Sequence, residues 1–66
     1  MRLLINGENR HFASPLTVAE LVVALDHAGK RIAIECNGEI VPRSRYGETS
    51  LTEGDQIEIV VAVGGG

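Results

Sequence analysis

The sequence predicts an α+β fold, a mixed sheet of about five strands with one main helix packed across one face. Three observations carry that expectation. Residues 17–25 place apolar side chains at helical spacing behind a capping-box sequence. Asn6-Gly7 and Asn37-Gly38 are hairpin-turn signals on either side of that helix, because a tight hairpin turn needs residues that tolerate positive φ. Residues 56–63 alternate with a period of two over the longest such stretch in the chain.

The elements follow in order. Arg2 to Asn6 reads as a first strand, with Leu3 and Ile5 on one face and Leu4 on the other. After the Asn6-Gly7 turn, Arg10 to Ala13 returns as a second strand, with Phe12 as its inward anchor. In Thr17-Val18-Ala19-Glu20 the Thr17 side chain can accept from a free helix N–H while Glu20 reaches back to the Thr17 N–H. Val18, Leu21, Val22 and Leu25 then line one helix face. Burying them contributes at most about 1.5–3 kcal/mol each. Gly29 lies just past the pattern, where a left-handed C-cap is easiest for glycine.

Ile32 to Cys36 reads as a third strand, and Glu39-Ile40-Val41 as a short fourth that Pro42 stops. Arg43 to Ser50 is polar and irregular, with one short helical turn near Tyr46. Gln56 to Val63 is the last strand, with Ile57, Ile59, Val61 and Val63 on one face and Glu58, Val60 and Ala62 on the other. Wrapped around one helix, the first and last strands lie side by side in the centre. That is the β-grasp arrangement of ubiquitin-like domains.

Size and charge narrow the function. With 66 residues the chain makes one domain, expected over residues 1–63, with residues 64–66 as a flexible glycine tail. Folding at this size removes only roughly 60% of the unfolded surface from water. A core and an enclosed catalytic cleft compete for the same few side chains, which argues for a module handed to other proteins rather than an enzyme. Net charge is −3, with six Lys and Arg and only Phe12 and Tyr46 as aromatics. Nucleic-acid binders need a basic patch or stacking surfaces, so nucleic acid is excluded as the main partner. The single cysteine, Cys36, cannot form an intrachain disulfide. No leader pattern and no apolar run long enough to cross a bilayer is seen, so a cytoplasmic protein, monomeric on its own, is expected.

Gly64, Gly65 and Gly66 carry the chemistry. Consecutive glycines have wide backbone freedom and no Cβ, so they pack into no core. They follow directly on a strongly patterned strand. A carboxylate on such a thin strip can pass down a channel that any side chain would block. With a reference pKa of about 3.5 it is ionised at neutral pH and is a poor electrophile. Joining it to AMP, with pyrophosphate leaving, gives an acyl group open to attack. If the attacking atom is sulfur, the product is a thiocarboxylate. No catalytic residue and no bound cofactor are needed in the chain itself. ATP, Mg²⁺ and the sulfur source belong to its partners.

The stretches Ile5-Asn6-Gly7-Glu8, Thr17-Val18-Ala19-Glu20-Leu21, Asn37-Gly38-Glu39-Ile40-Val41-Pro42-Arg43 and Gly54-Asp55-Gln56-Ile57-Glu58-Ile59, closed by Gly65-Gly66, resemble the ThiS family of thiamine-biosynthesis sulfur carriers. The similarity runs over the whole chain. It implies that Gly66 is adenylated by an activating enzyme of the ThiF type and then thiocarboxylated, with Gly64 and Gly65 entering the partner's active site. The implied sulfur donor is a protein such as a cysteine desulfurase, and the implied client is a thiazole synthase of the ThiG type. Two alternatives share the tail: the small subunit of molybdopterin synthase, and a ubiquitin-like modifier joined to lysines.

The remaining residues are read more plainly. Cys36 shares a face with Ile32 and Ile34, where a buried thiol acts as a small, inert hydrophobe. His11 and His27 lack a second ligand at useful spacing, so no metal site is expected. Glu53 and Asp55 are turn carboxylates, and Arg43 and Arg45 are exposed charges. Leu4, Val60 and Ala62 fall on the open side of the sheet and form a candidate docking patch for partners.

Overall fold

The computed structural model describes residues 1–62; the expected end of the last strand at Val63 and the tail Gly64, Gly65 and Gly66 lie outside the described residues. Five strands form one sheet: β1 (Arg2–Ile5), β2 (Glu8–His11), β3 (Ile32–Cys36), β4 (Glu39–Val41) and β5 (Gln56–Val61). Their order is β2-β1-β5-β3-β4. Strands β1 and β5 pair in parallel, and every other neighbour is antiparallel. The first and last strands are therefore adjacent at the centre, as expected. Helix α1 (Val18–Ala24) packs on one face, and a short 3-10 turn (Arg43–Arg45) follows β4.

Both hairpins turn on Asn-Gly. Asn6 and Gly7 have φ of 50° and 83°, and Asn37 and Gly38 have 52° and 86°, positive at both central residues as a type I′ turn requires. The two-residue turn also corrects the expected second strand. Pairing resumes at once with Ile5 opposite Glu8, so β2 runs over Glu8–His11 instead of Arg10 to Ala13. Phe12 lies past its end, its N–H donating to Met1 O (2.8 Å) and its ring packed against the core.

The capping box forms as read: Glu20 N–H donates to Thr17 Oγ1, and Thr17 N–H donates to Glu20 Oε1. The two preceding helix donors are satisfied by the irregular segment, Val18 N–H on Thr49 O and Ala19 N–H on Tyr46 O. That pins the 43–50 stretch to the helix start. The helix ends earlier than Gly29 implied. Leu25 is the C-cap, Asp26 takes the left-handed position at φ 61°, and two bonds close the end: His27 N–H to Val22 O and Asp26 N–H to Val23 O. This is a Schellman motif with aspartate where glycine is usual. Gly29, at φ 83°, serves the following turn, where Lys30 N–H reaches His27 O.

The core lies between α1 and the inner sheet face. Leu3, Ile5, Val18, Leu21, Val22, Ile34, Val41, Leu51, Ile57 and Ile59 are buried, with Leu25, Ile32 and Cys36 packed against them. The alternation read along β1 and β5 holds: Leu3, Ile5, Ile57 and Ile59 face the helix, while Val60 and Ala62 are exposed.

Candidate functional site

Strand β5 is the element that carries the chain toward Gly64, Gly65 and Gly66, so the site is built from whatever fixes its position. β1 stops at Ile5, opposite Ile57, while β5 runs on to Val61. Asn6 takes over. Its main-chain N–H donates to Ile57 O (2.9 Å), its Nδ2 to Ile59 O (3.1 Å), and its Oδ1 accepts from Ile59 N–H (2.8 Å). At the other end of β5, Asn37 does the same work. Its N–H donates to Gln56 O (2.7 Å) and its Oδ1 accepts from Gln56 N–H (2.9 Å). Each hairpin asparagine thus supplies a turn and a side-chain clamp on the central strand.

Asp55 completes the second clamp. It accepts from Asn37 Nδ2 (3.0 Å), Thr52 N–H (2.9 Å) and the Thr52 hydroxyl (3.0 Å). Burial works to raise its pKa, but the bonds from Asn37, Thr52 and Cys36 outweigh it and hold the carboxyl below its ordinary value. It is a structural acceptor, more than the solvated turn carboxylate read from sequence. Glu53 is likewise engaged. The Arg2 N–H bond first, then the Arg2 side chain, lowers its pKa against the opposing effect of desolvation. Cys36 is partly buried, with its thiol pushed up first by burial and then by the charges of Asp55 and Glu39. A protonated thiol on the core face agrees with the inert role expected of it.

The open face differs from expectation in one respect. Leu4 shares that face with Val60 and Ala62, but the parallel register sets Leu4 opposite Gln56. Four residues of strand, about 13 Å, then separate it from Val60. Directly opposite Val60 is Ala33 on β3, while exposed Ile40 on β4 falls in the next row of the same face, opposite Glu35 and in line with Glu58. Val60 is 66% exposed and Ile40 76%. Ile40 was legible: with Val41 inward, alternation turns Ile40 outward. A groove lined by Arg31, Ile32, Ala33, Arg43, Val60 and Ala62 runs along this end of the sheet.

His11 and His27 remain apart from any ligand set, and among the described residues no group of three His, Cys, Asp or Glu is placed to hold a metal. His27 Nδ1 is buried without a hydrogen-bond partner among the described residues. No described helix is long and apolar enough to cross a membrane. What the arrangement offers is a rigid central strand, clamped on both sides, leading to a glycine tail.

The family model described as the ThiS family matches residues 3–66. The chain belongs to the ThiS family. Relatives of matching length within this family include the sulfur carrier protein ThiS of Escherichia coli, 33% identical over the full length of both chains. That of Bacillus subtilis is 40% identical over 65 residues, covering 97% of this chain and 98% of the relative. The crystal structure of the thiamine biosynthesis protein ThiS from Geobacter metallireducens superposes with a TM-score of 0.85 at 35% identity, over 100% of both chains. This agreement places the ThiS β-grasp fold on the five-strand sheet described above. A thiazole synthase of Paramagnetospirillum magneticum is 44% identical over 66 residues, and this chain spans 20% of its length.

Proposed function

We propose that this chain is a sulfur carrier for thiazole formation in thiamine biosynthesis, with Gly66 as the residue that is modified. The observation that supports this most directly is the ThiS family match, which runs through residue 66 and so includes the glycine tail. The fold adds a reason: β5 is fixed by Asn6 and Asn37 side chains, which gives the tail a defined point of departure.

In this reading the Gly66 carboxylate attacks the α-phosphorus of ATP on an adenylating enzyme of the ThiF type, pyrophosphate leaves, and an acyl-adenylate forms. Sulfur at the oxidation level of sulfide then attacks the carbonyl carbon and displaces AMP, leaving a thiocarboxylate. A persulfide donor such as a cysteine desulfurase reaches that level with two electrons from a thiol. Mg²⁺ and ATP sit on the enzyme, and the chain is a substrate that contributes no acid, base or metal ligand. Gly64 and Gly65 pass into the partner's active site because they carry no Cβ. The client is a thiazole synthase of the ThiG type, a reading supported by the similarity to segments of proteins named thiazole synthase. Val60 and Ala62, with Leu4 further along the same face, form the docking patch.

The test is the intact mass of the protein after incubation with ATP, a reduced sulfur source and its host's adenylating enzyme. The expected result is a gain equal to exchanging one oxygen for one sulfur, lost when Gly66 is deleted. Conjugates to lysines of other proteins would favour a modifier instead. A thiocarboxylate consumed by molybdopterin synthase and refused by thiazole synthase would change the client.

A further inference from the structure

The six cationic side chains of this acidic protein are not spread evenly. Arg2 is paired with Glu53 at 3.3 Å and Arg45 with Glu48 at 2.9 Å. Arg10, Lys30, Arg31 and Arg43 make no ion pair among the described residues. Arg10 lies on β2, an edge strand. The other three meet at the end of the sheet where β5 finishes. Arg31 O accepts from Ala62 N–H (2.8 Å), the last main-chain bond described before the tail. Arg43 Nη2 donates to Lys30 O (3.3 Å), which draws the 3-10 turn against the start of β3. Arg31 and Arg43 then share one groove with exposed Val60 and Ala62. The carboxylates of this face, Glu35 and Glu58, sit opposite each other two residues back along the strands, about 7 Å from the Ala33–Val60 row.

Like charges gathered at one end of a protein of net charge −3 raise the local potential against the sign of the whole molecule. Water solvates such a cluster, yet a surface that orients the tail toward a channel gains from it. Complementary charge steers encounter and fixes register, and the apolar residues that share the groove with the two arginines supply the part of the contact that excludes water.

We propose that this end of the sheet docks on an acidic rim at the mouth of the channel that receives the tail, with Arg31 and Arg43 as its charged contacts, supported by Lys30, in the groove they share with Val60 and Ala62. The proposal rests on the reading of the chain as a substrate of an adenylating enzyme. Its occupant is that enzyme's carboxylate-rich surface, not the phosphates of ATP.

ATP–pyrophosphate exchange by the host's adenylating enzyme tests it, with the full chain varied at saturating ATP and ATP varied at saturating chain. Arg31→Glu combined with Arg43→Glu is expected to raise the KM for the chain about tenfold at low salt, with kcat held within about twofold. Added salt is expected to raise the wild-type KM and to lower or leave unchanged that of the double variant, because screening removes attraction in one and repulsion in the other. Arg10→Glu changes net charge by the same amount per site and is expected to leave KM within about twofold. Arg43→Lys keeps the charge and retains most of the affinity. Arg31→Glu alone guards against a folding artefact, since the Arg31 side chain makes no hydrogen bond to a described residue, and thermal melts by circular dichroism accompany each variant.

An unchanged KM in the double variant would overturn the rim. So would an equal effect of Arg10→Glu, which makes net charge the cause, or a rise confined to the KM for ATP, which makes the phosphates the ligand. No exchange with the wild-type chain would instead remove the carrier reading, and the rim with it.

Discussion

Single side chains decide how firmly the tail-bearing strand is held, and Asp55 is the clearest case. Its carboxylate gathers Asn37, Thr52 and the partly buried Cys36 around the start of β5. Burial opposes its charge, the hydrogen bonds favour it, and the bonds prevail. The folded pKa is therefore depressed relative to the unfolded chain. A depressed carboxyl pKa means that the stabilisation is fully present above the ordinary aspartate value of about 3.9 and is lost as pH falls below it, through the folded value. Thermal melts between pH 7 and pH 2 are expected to show Asp55→Asn losing most of its stability deficit at the acid end, where the wild-type carboxyl is protonated too. A deficit that stays constant across the range would show that geometry, not charge, is what Asp55 contributes. Asparagine side chains were half-legible in the same way. Asn6-Gly7 and Asn37-Gly38 announce turns because short-range backbone sterics require it, whereas the clamps on Gln56 and Ile59 join residues 19 and 53 positions apart. Local sequence carries no record of such pairing.

At the scale of elements, periodicity identified α1, β3, β4 and the inward face of β5, because each rests on side-chain alternation that burial enforces. It misplaced β2, all of whose residues are exposed, so no hydrophobic pattern marks its phase. There the turn length, not the strand, sets the register. The end of α1 was misplaced for a different reason. Glycine is the usual left-handed residue after a helix, and Gly29 drew attention from Asp26, which holds φ 61° three positions earlier. The aspartate is a poor choice twice over: its Cβ is strained in that conformation, and its charge faces the negative end of the helix dipole. Asp26→Gly is expected to raise stability by about 0.5 kcal/mol, after allowing for glycine's greater freedom in the unfolded chain. For a domain of this size that is a rise in Tm of about 2–4 °C. A lower Tm would mean that the Asp26 side chain does something the Schellman geometry does not require.

For the whole molecule, the order β2-β1-β5-β3-β4 makes β5 the hub, covered by α1 on one face and open on the other. Partner docking on the open face was expected from Leu4, Val60 and Ala62 as one patch, and the topology sets Leu4 apart from the other two. Their shared face follows from alternation alone, but their spacing depends on the β1–β5 register, which pairs Leu4 with Gln56 and is invisible along the chain. The two ends of that face can be told apart by experiment. Val60 is 66% exposed, so Val60→Asp buries no charge and is expected to cost about 1 kcal/mol or less in stability, the ordinary penalty of aspartate in a strand. Beside the departing tail, however, it places a carboxylate in the apolar part of the proposed contact. The expected result is a rise of about tenfold or more in the KM for activation, the size typical of a central interface residue. Leu4→Asp, on the same face but about 13 Å away, is expected to leave KM within about twofold. Equal losses in both variants would extend the docking surface over the whole open face, and normal activation of a folded Val60→Asp variant would remove that face from the contact. A loss confined to Val60→Asp would fix the partner at the end of the sheet where Arg31 and Arg43 also lie, in the groove that Val60 and Ala62 share with them.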